Sequence, residues 1–245
     1  MLPVTPAELA IALGLVVIGS IVQGSIGFGL AAVVAPVLLL VNPIFLPGPV
    51  QLTALVAYRE RRHIAWPEVA VSSGGRVAGM LPAALAIRYM SAQTYDLVFS
   101  LAVLAGVVIS LAGWHFRLTL RNLFLTAIGS GFVSTVSAVG GPPMALVYQH
   151  EEAPKIRGTL SAIFTIGTPI SLAGLWWAGR FGLPELTLGF LLMPAILLGF
   201  FLSRFTAGRL EPSHTRPVIL ALSAATALVV MIRAVAQILE SHNRL

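Results

Sequence analysis

One arginine lies in the middle of an apolar stretch of the sequence. Arg76 follows Ser72-Ser73-Gly74-Gly75 and stands 12 residues into the block Ile64–Ile87, about 18 Å along a helix. A guanidinium fork donates paired N–H bonds to an oxyanion, and an ionisable residue inside a membrane span is a candidate functional residue by default. Arg76 therefore predicts an anion site at mid-depth. The alternatives are structural: pairing with Glu68 or a helix C-terminus, or snorkelling.

Two glycine-rich stretches carry a second kind of chemistry, because they can expose backbone N–H groups. They are Gln23-Gly24-Ser25-Ile26-Gly27-Phe28-Gly29 and Thr135-Val136-Ser137-Ala138-Val139-Gly140-Gly141-Pro142-Pro143. Glycine lets the backbone approach a ligand, and a helix that begins there directs a positive dipole and free N–H groups at an anion. Proline suits the first turn, where its missing N–H costs nothing. Close packing of helices through small residues is the alternative.

These stretches, together with polar residues beside them, supply the candidate site. The candidate substrate-binding residues are Arg76, Gln23, Ser25, Gly27, Gly29, Gln51, Thr135, Ser137, Gly140, Gly141 and Pro142. For the two glutamines and the hydroxyls, a hydrogen bond to a neighbouring helix is the alternative role. No histidine pairs with a carboxylate at ligand spacing, so we expect no metal, no cofactor and no catalytic residue.

Composition identifies the setting in which such a site must be built. Of the 245 residues, 57 % are hydrophobic and 10 % are charged, whereas a soluble domain is about 25 % charged. The sequence contains no cysteine, which excludes disulfides and thiolate metal sites. The net charge is +6, but the basic residues are scattered between apolar runs, which argues against nucleic acid as a partner. The chain is predicted to be an all-α integral membrane protein.

The apolar residues fall into eight blocks separated by short polar connectors, which predicts one compact membrane domain. The blocks are Leu9–Val41, Ile44–Tyr58, Ile64–Ile87, Leu97–Gly113, Leu123–Tyr148, Thr159–Gly179, Leu186–Ser203 and Val218–Ile232. The first block has 33 residues, about 50 Å as a helix against a hydrocarbon core of about 30 Å. The next block is short and contains Pro47 and Pro49. A long block followed by a short one predicts a broken or re-entrant helix, which is tolerated where it lines a cavity.

The two halves of the chain resemble each other. Val22–Ala31 in the first half is followed 111 residues later by Val133–Pro142, and Trp66-Pro67-Glu68 has a counterpart in Leu183-Pro184-Glu185. These correspondences predict two transmembrane repeats, residues 1–113 and 114–245, each with a break at its glycine motif. Paired interrupted segments of this kind point to the central site of a transporter. Whether the repeats are inverted or parallel depends on the number of crossings in each half, which stays open.

The motifs resemble those of the sulfite exporter TauE/SafE family, also called toluene sulfonate uptake permeases. The resemblance rests on Gly24-x-x-Gly27-x-Gly29, on Ser137-x-x-Gly140-Gly141-Pro142-Pro143 and on the Trp66-Pro67 helix start, and it extends over nearly the whole chain. It implies a multi-pass permease of the bacterial inner membrane that moves small sulfur oxyanions or organosulfonates. Two features depart from the family pattern: Leu30-Ala31 follows Gly29, and Arg76 occupies a position that is typically apolar.

The function predicted from residues and resemblance is secondary transport of a small sulfur-containing anion, by alternating access around a midplane site. The expected partners are the anionic substrate and the lipid bilayer, and a homodimer is left open. One alternative is an anion channel. The other is an intramembrane hydrolase, suggested by Glu151-Glu152 followed by Arg157, although no histidine lies deep in a block. Substrate identity, direction of transport, ion coupling and orientation are not fixed by the sequence, although the Arg59–Arg62 cluster favours a cytoplasmic placement for that connector.

Overall fold

The computed structural model describes residues 4–26, 34, 35, 37, 38, 41, 51–112, 117–206 and 212–242. Within this part of the chain the regular structure is helical and contains no strand. The α-helices are α1 (Pro6–Ile26), α2 (Gln51–Arg59), α3 (Trp66–Tyr89), α4 (Ala92–Leu111), α5 (Leu120–Ser137), α6 (Gly141–Tyr148), α7 (Ala153–Trp177), α8 (Leu183–Leu191), α9 (Met193–Thr206) and α10 (Pro212–His242). A 3₁₀ turn at Arg61–His63 joins α2 to α3.

The helices begin at residues that favour a helix start. Ser91 and Thr119 each accept a hydrogen bond from a backbone N–H three residues later, at Thr94 and Asn122, which caps α4 and α5. Proline occupies the first turn of α3, α6, α7 and α8, where no intrahelical N–H bond is lost. Helix starts are therefore set locally, by capping side chains and proline.

Six helical segments among the described residues are long and apolar enough to cross a membrane. They are Pro6–Gly24, Trp66–Tyr89, Ala92–Leu111, Ala153–Trp177, Leu183–Thr206 and Leu220–Leu239. The eight predicted hydrophobic segments are therefore not confirmed. The block Leu123–Tyr148 is divided into α5 and α6, because Ala138 adopts a left-handed backbone with φ of 60°. The described part of the block Ile44–Tyr58 is the nine-residue α2, which is too short to span about 30 Å.

Other block boundaries differ from the prediction for local reasons. The block Leu186–Ser203 contains two helices, α8 and α9, which meet at Leu192 just before Pro194. The last helix reaches from Pro212 to His242, well beyond the apolar block Val218–Ile232. Arginine, glutamine and glutamate extend this helix because they are good helix formers even though they end a hydropathy block.

The directions of the helices follow from contacts at their ends. The N–H of Ala65 donates to Thr159 Oγ1 at 3.1 Å, and Arg88 Nη1 donates to the carbonyl of Trp177 at 3.2 Å, so α3 and α7 run parallel. We call the end of the bundle where α3 and α7 begin the Glu68 end, and the opposite end the Arg88 end. The Arg59 guanidinium, at the Glu68 end, lies 5.5 Å from the ring centroid of Phe200, near the end of α9. The pair α8–α9 therefore runs opposite to α3.

In the main packed pairs, a helix from residues 1–113 lies against a helix from residues 114–245. Helix α3 packs along α5, α1 packs along α9, α4 packs along α10 and α2 packs along α7. The first helix of each predicted half thus packs on a membrane-spanning segment of the other half that begins with the Pro-Glu motif, Trp66–Tyr89 for α5 and Leu183–Thr206 for α1. A central core cluster reflects this exchange, since Phe99 of α4 and Val230 of α10 belong to the same buried group.

Helices α5 and α6 form a hairpin whose two ends lie at the Glu68 end. Gly75 of α3 lies against Phe124 of α5, and Gly79 lies against Ile128, so α5 runs parallel to α3, away from the Glu68 end. The chain turns back after Ser137, and the Tyr148 hydroxyl at the end of α6 donates to Glu68 Oε2 at 2.7 Å. The turn of this hairpin therefore points into the bundle.

We expect the Gly79→Ala variant to destabilise the protein, because a Cβ at Gly79 would collide with the carbonyl of Ile128 on α5. Overpacking of this kind costs about 1–3 kcal/mol. The matched control is Gly129→Ala, where a Cβ would meet no atom within 4 Å and helix propensity favours alanine by about 1 kcal/mol. Thermal unfolding in detergent measures both. Equal stability of the two variants would contradict the close approach of α3 and α5.

Candidate functional site

Arg76 is buried in the middle of α3, with a relative exposure of 2 %. Its Nη1 donates to Ser130 Oγ at 2.8 Å and its Nη2 donates to Ser134 Oγ at 2.9 Å, both on α5. The guanidinium carbon lies 5.2 Å from the ring centroid of Phe164 on α7, which is cation–π distance. The third nitrogen, Nε, is buried and has no hydrogen-bond partner among the described residues. The two serines use two of the five guanidinium N–H groups, so three remain without a hydrogen bond among the described residues.

Two glycines let the neighbouring helices approach this arginine. A Cβ at Gly131 on α5 would lie 2.5 Å from the carbonyl oxygen of Arg76, and a Cβ at Gly167 on α7 would overlap Arg76 Nε. Any larger side chain at either position would push α5 or α7 away from α3. The serine hydroxyls reach the guanidinium because these positions carry no side chain.

The hydroxyls around Arg76 form a connected network. Ser134 Oγ lies 3.1 Å from Ser171 Oγ on α7, and Thr135 Oγ1 lies 3.2 Å from the same oxygen. Ser130 Oγ accepts from Arg76 and donates to the carbonyl of Gly140 at 2.7 Å. The network therefore joins α3, α5 and α7 to the turn of the α5–α6 hairpin.

The turn itself brings the second glycine motif to the arginine. Helix α5 ends at Ser137, and α6 begins at Gly141 after the left-handed Ala138. A Cβ at Gly140 would lie 2.7 Å from Ser134 Cβ and 3.0 Å from Ser130 Oγ, so only glycine fits against the two serines that bind Arg76.

The structure brings some of the predicted site residues together and separates others. Arg76, Thr135 and Gly140 share the hydroxyl network. Ser137 is buried, but its hydroxyl donates to the carbonyl of Val133 and accepts from the N–H of Val139, so it caps its own helix.

The remaining predicted residues lie elsewhere or outside the described part of the chain. Gly141 and Pro142 form the first turn of α6, and Pro142 packs near Gly106 of α4. Gln23 is buried near the end of α1. Gly27 and Gly29 lie outside the described residues, as do the side chains of Ser25 and Gln51.

The residues that contact the arginine most closely are not among those predicted from the sequence. Ser130 and Ser134 are spaced by four positions, and so are Gly167 and Ser171, so each pair lies on one helix face. This spacing was a usable signal for a polar face. Phe164 carried no such signal, because an aromatic residue in an apolar helix reads as core.

Among the described residues, no carboxylate balances the charge of Arg76. None of the ion pairs among the described residues includes it. The alternative pairing with Glu68 is wrong, because Glu68 Oε1 binds Lys155 Nζ at 3.0 Å and Glu68 Oε2 accepts from Tyr148. A buried cation surrounded by hydroxyls can bind an anion that supplies the missing negative charge.

The Glu68 end carries a charged cluster of a different kind, in which acids and bases are paired. Lys155 Nζ lies 2.9 Å from Glu151 Oε2 and also binds Glu68, while Glu60 Oε1 lies 3.2 Å from Arg157 Nε and 3.4 Å from Arg59 Nε. These ion pairs join α2, α3 and the turn between them to the start of α7. Glu151 is thus occupied by a lysine, which leaves little support for the hydrolase alternative.

A line of polar residues connects the two sites. Glu68, Ser72 and Arg76 are spaced by four residues along α3, so they lie on one helix face. Ser72 is fully buried, and its hydroxyl has no hydrogen-bond partner among the described residues. Polar groups therefore extend over about 12 Å of helix from the charged cluster to the buried arginine.

Comparison with known proteins gives one match. The family model described as Sulfite exporter TauE/SafE matches residues 11–230, which is most of the chain. No curated protein and no solved structure matches the chain.

We expect Arg76→Met to leave the free energy of unfolding unchanged, or to raise it by up to about 4 kcal/mol, because a buried charge without a counter-ion is replaced by an apolar side chain. Ser130 and Ser134 keep bonds to the carbonyls of Gly140 and Gly131. The comparison variant is Lys155→Met, which breaks two ion pairs and should cost about 1 kcal/mol. Unfolding in anion-free detergent measures both, and a large loss in Arg76→Met would make Arg76 a structural residue.

Proposed function

The chain belongs to the TauE/SafE sulfite exporter family, and from this we propose that it carries a small sulfur-containing anion, sulfite or an organosulfonate, across the membrane by binding it at Arg76. Membership makes the chain a multi-pass membrane protein of a transporter family, in agreement with the six apolar helical segments found among the described residues. The bacterial inner membrane is the location that fits such a permease.

The observation that carries the proposal is the buried guanidinium of Arg76, which pairs with no carboxylate in the part of the chain that the structure describes. Two of its nitrogens are held by Ser130 and Ser134, and Nε is unpartnered among the described residues. An oxyanion needs donors together with positive charge, and the guanidinium supplies both, since the serines use two of its five N–H groups. Serine hydroxyls are neutral, so they orient the arginine without competing for its charge. Binding can therefore be selective for anions while remaining reversible.

The helix break after α5 supplies the second half of the proposed site. Gly140 packs against the serines that hold Arg76, and α6 begins one residue later. The N-terminus of a helix attracts an anion through its dipole and its free N–H groups, and in the first turn of α6 Gly141 carries such a group whereas the two prolines after it have none. In the sequence, the counterpart of this motif in the first half of the chain is Gly24-x-x-Gly27-x-Gly29.

We further propose that residues 1–113 and 114–245 are inverted repeats. Two observations support this. Trp66–Tyr89 and Leu183–Thr206 have the same length, 24 residues, and they run in opposite directions. In addition, α3 packs along α5 while α1 packs along α9, which is the exchange that a two-fold axis in the membrane plane produces. Inverted repeats around a midplane site are a common basis for alternating access.

In the proposed cycle, the ion pairs of the Glu68 end close the path to Arg76 on that side. They bridge the two halves through Glu60 and Arg157 and through Glu68 and Lys155. Opening this side requires the pairs to separate, which exposes the polar line from Glu68 to Arg76. Partly exposed ion pairs suit a gate, because the paired charges and the separated, hydrated charges differ little in free energy.

Transport assays with purified protein in proteoliposomes test the role of Arg76. We expect Arg76→Ala to reduce saturable flux of labelled sulfite by about 100-fold or more, since two charge-assisted hydrogen bonds between the guanidinium and the bound anion are lost. Arg76→Lys should keep part of the activity, because the charge remains but the fork is lost. The control is Arg121→Gln, an exposed arginine at the Glu68 end. Unchanged flux in Arg76→Ala would overturn the proposed site.

A reversible cross-link tests the gate, because the chain has no native cysteine. A Cβ at Gly158 would lie 3.3 Å from Glu60 Cβ, near the distance of about 3.5–4.5 Å found in disulfides. The double variant Glu60→Cys and Gly158→Cys should lose flux on oxidation and regain it on reduction. Each single variant should respond to neither treatment. Full flux through cross-linked protein would show that this end does not open.

A further inference from the structure

An apolar groove lies between α3 and α7 on the outer surface of the bundle, near the Arg88 end. It has a volume of about 570 Å³ and is lined by Met80, Leu81, Leu85, Ala173, Gly174 and Trp177. Leu81 is 60 % exposed and Trp177 is 50 % exposed, so the groove opens outward rather than toward Arg76. In a membrane-spanning chain this surface faces hydrocarbon, and an apolar groove there must be filled by lipid or by protein.

Two arginines lie at the end of this groove. Arg88 donates to the carbonyl of Trp177, and its guanidinium carbon lies 4.8 Å from the Trp177 ring centroid. Arg180 Nη2 donates to the carbonyl of Met90 at 2.7 Å. These contacts hold both cations in place while using one N–H of five on each guanidinium. Both side chains are exposed, so their remaining donors can reach a ligand at the membrane surface.

The charge at this end favours an anionic ligand. The nearby carboxylates are those of Asp96, which lies within electrostatic reach of Arg180, and of Glu185, which accepts from the N–H of Gly182. Neither forms an ion pair with Arg88 or Arg180 among the described residues. Basic pockets between transmembrane helices bind anionic lipid headgroups.

We propose that this groove holds one acyl chain of an anionic phospholipid whose phosphate binds Arg88 and Arg180. Leu81 and Arg88 are separated by seven residues of α3, about 10 Å, so a headgroup at the arginines places the chain in the groove. A second copy of this protein is a poorer occupant, because a symmetric contact would bring the arginines of both copies together. The lipid site is separate from Arg76 and does not depend on what the transporter carries.

Native mass spectrometry of detergent-purified protein tests the proposal. Phosphatidylglycerol and phosphatidylcholine with the same acyl chains are titrated separately. We expect phosphatidylglycerol to bind more tightly, and the double variant Arg88→Gln and Arg180→Gln to weaken it about thirtyfold. The matched control, Arg117→Gln and Arg121→Gln, removes two exposed arginines at the Glu68 end and should leave binding unchanged.

A second variant tests the groove without touching the charges. Ala173→Phe places a ring among the lining residues and should displace the lipid while Arg88 and Arg180 remain. Equal binding of the two lipids, or binding that survives Ala173→Phe, would overturn the proposal. A dimer that dissociates in Ala173→Phe, with no lipid bound to the native protein, would assign the groove to a second copy. None of these readouts involves transport, so they are independent of the function proposed for Arg76.

Discussion

The close approach of α3 and α5 is the constraint on which the candidate site depends. The two helices touch through Gly75, Gly79 and Gly131, where a side chain would collide with the opposite backbone. Only at this separation can the short hydroxyl groups of Ser130 and Ser134 reach Arg76. Each glycine lowers the stability of its helix by about 1 kcal/mol relative to alanine. In return, the serines can bind Arg76 directly, and their short side chains lose less rotamer entropy than longer polar side chains would.

The protein handles charge differently at its centre and at its Glu68 end. At the end, Glu60, Glu68 and Glu151 each have a base within ion-pair distance. At the centre, Arg76 has hydroxyl partners and no carboxylate among the described residues. Burying a cation in this way reduces stability, so an apolar side chain at position 76 would serve packing better than the arginine does. Such a trade between stability and function is typical of binding sites.

Sequence reasoning reached the class of protein and its central arginine for physical reasons. Hydrophobic composition is incompatible with a soluble surface, and Arg76 stands out because a charge inside an apolar span is costly. The serines could not be predicted in the same way, since their convergence depends on the register of α3 against α5 and α7. Hydropathy alone runs through the turn at Ala138, because a left-handed backbone at an alanine does not change an apolar average. The prediction of a break in this block comes from the glycine–proline motif instead.

The charge of Arg76 has an electrical consequence in the proposed transporter. Moving one elementary charge through 100 mV changes the free energy by about 2.3 kcal/mol. The empty carrier holds one positive charge at its centre, whereas a bound monovalent anion makes that centre neutral. The membrane voltage then acts on the return of the empty carrier and leaves the loaded step unaffected. A divalent anion makes the loaded centre negative, so the valence of the substrate decides which half of the cycle the voltage drives.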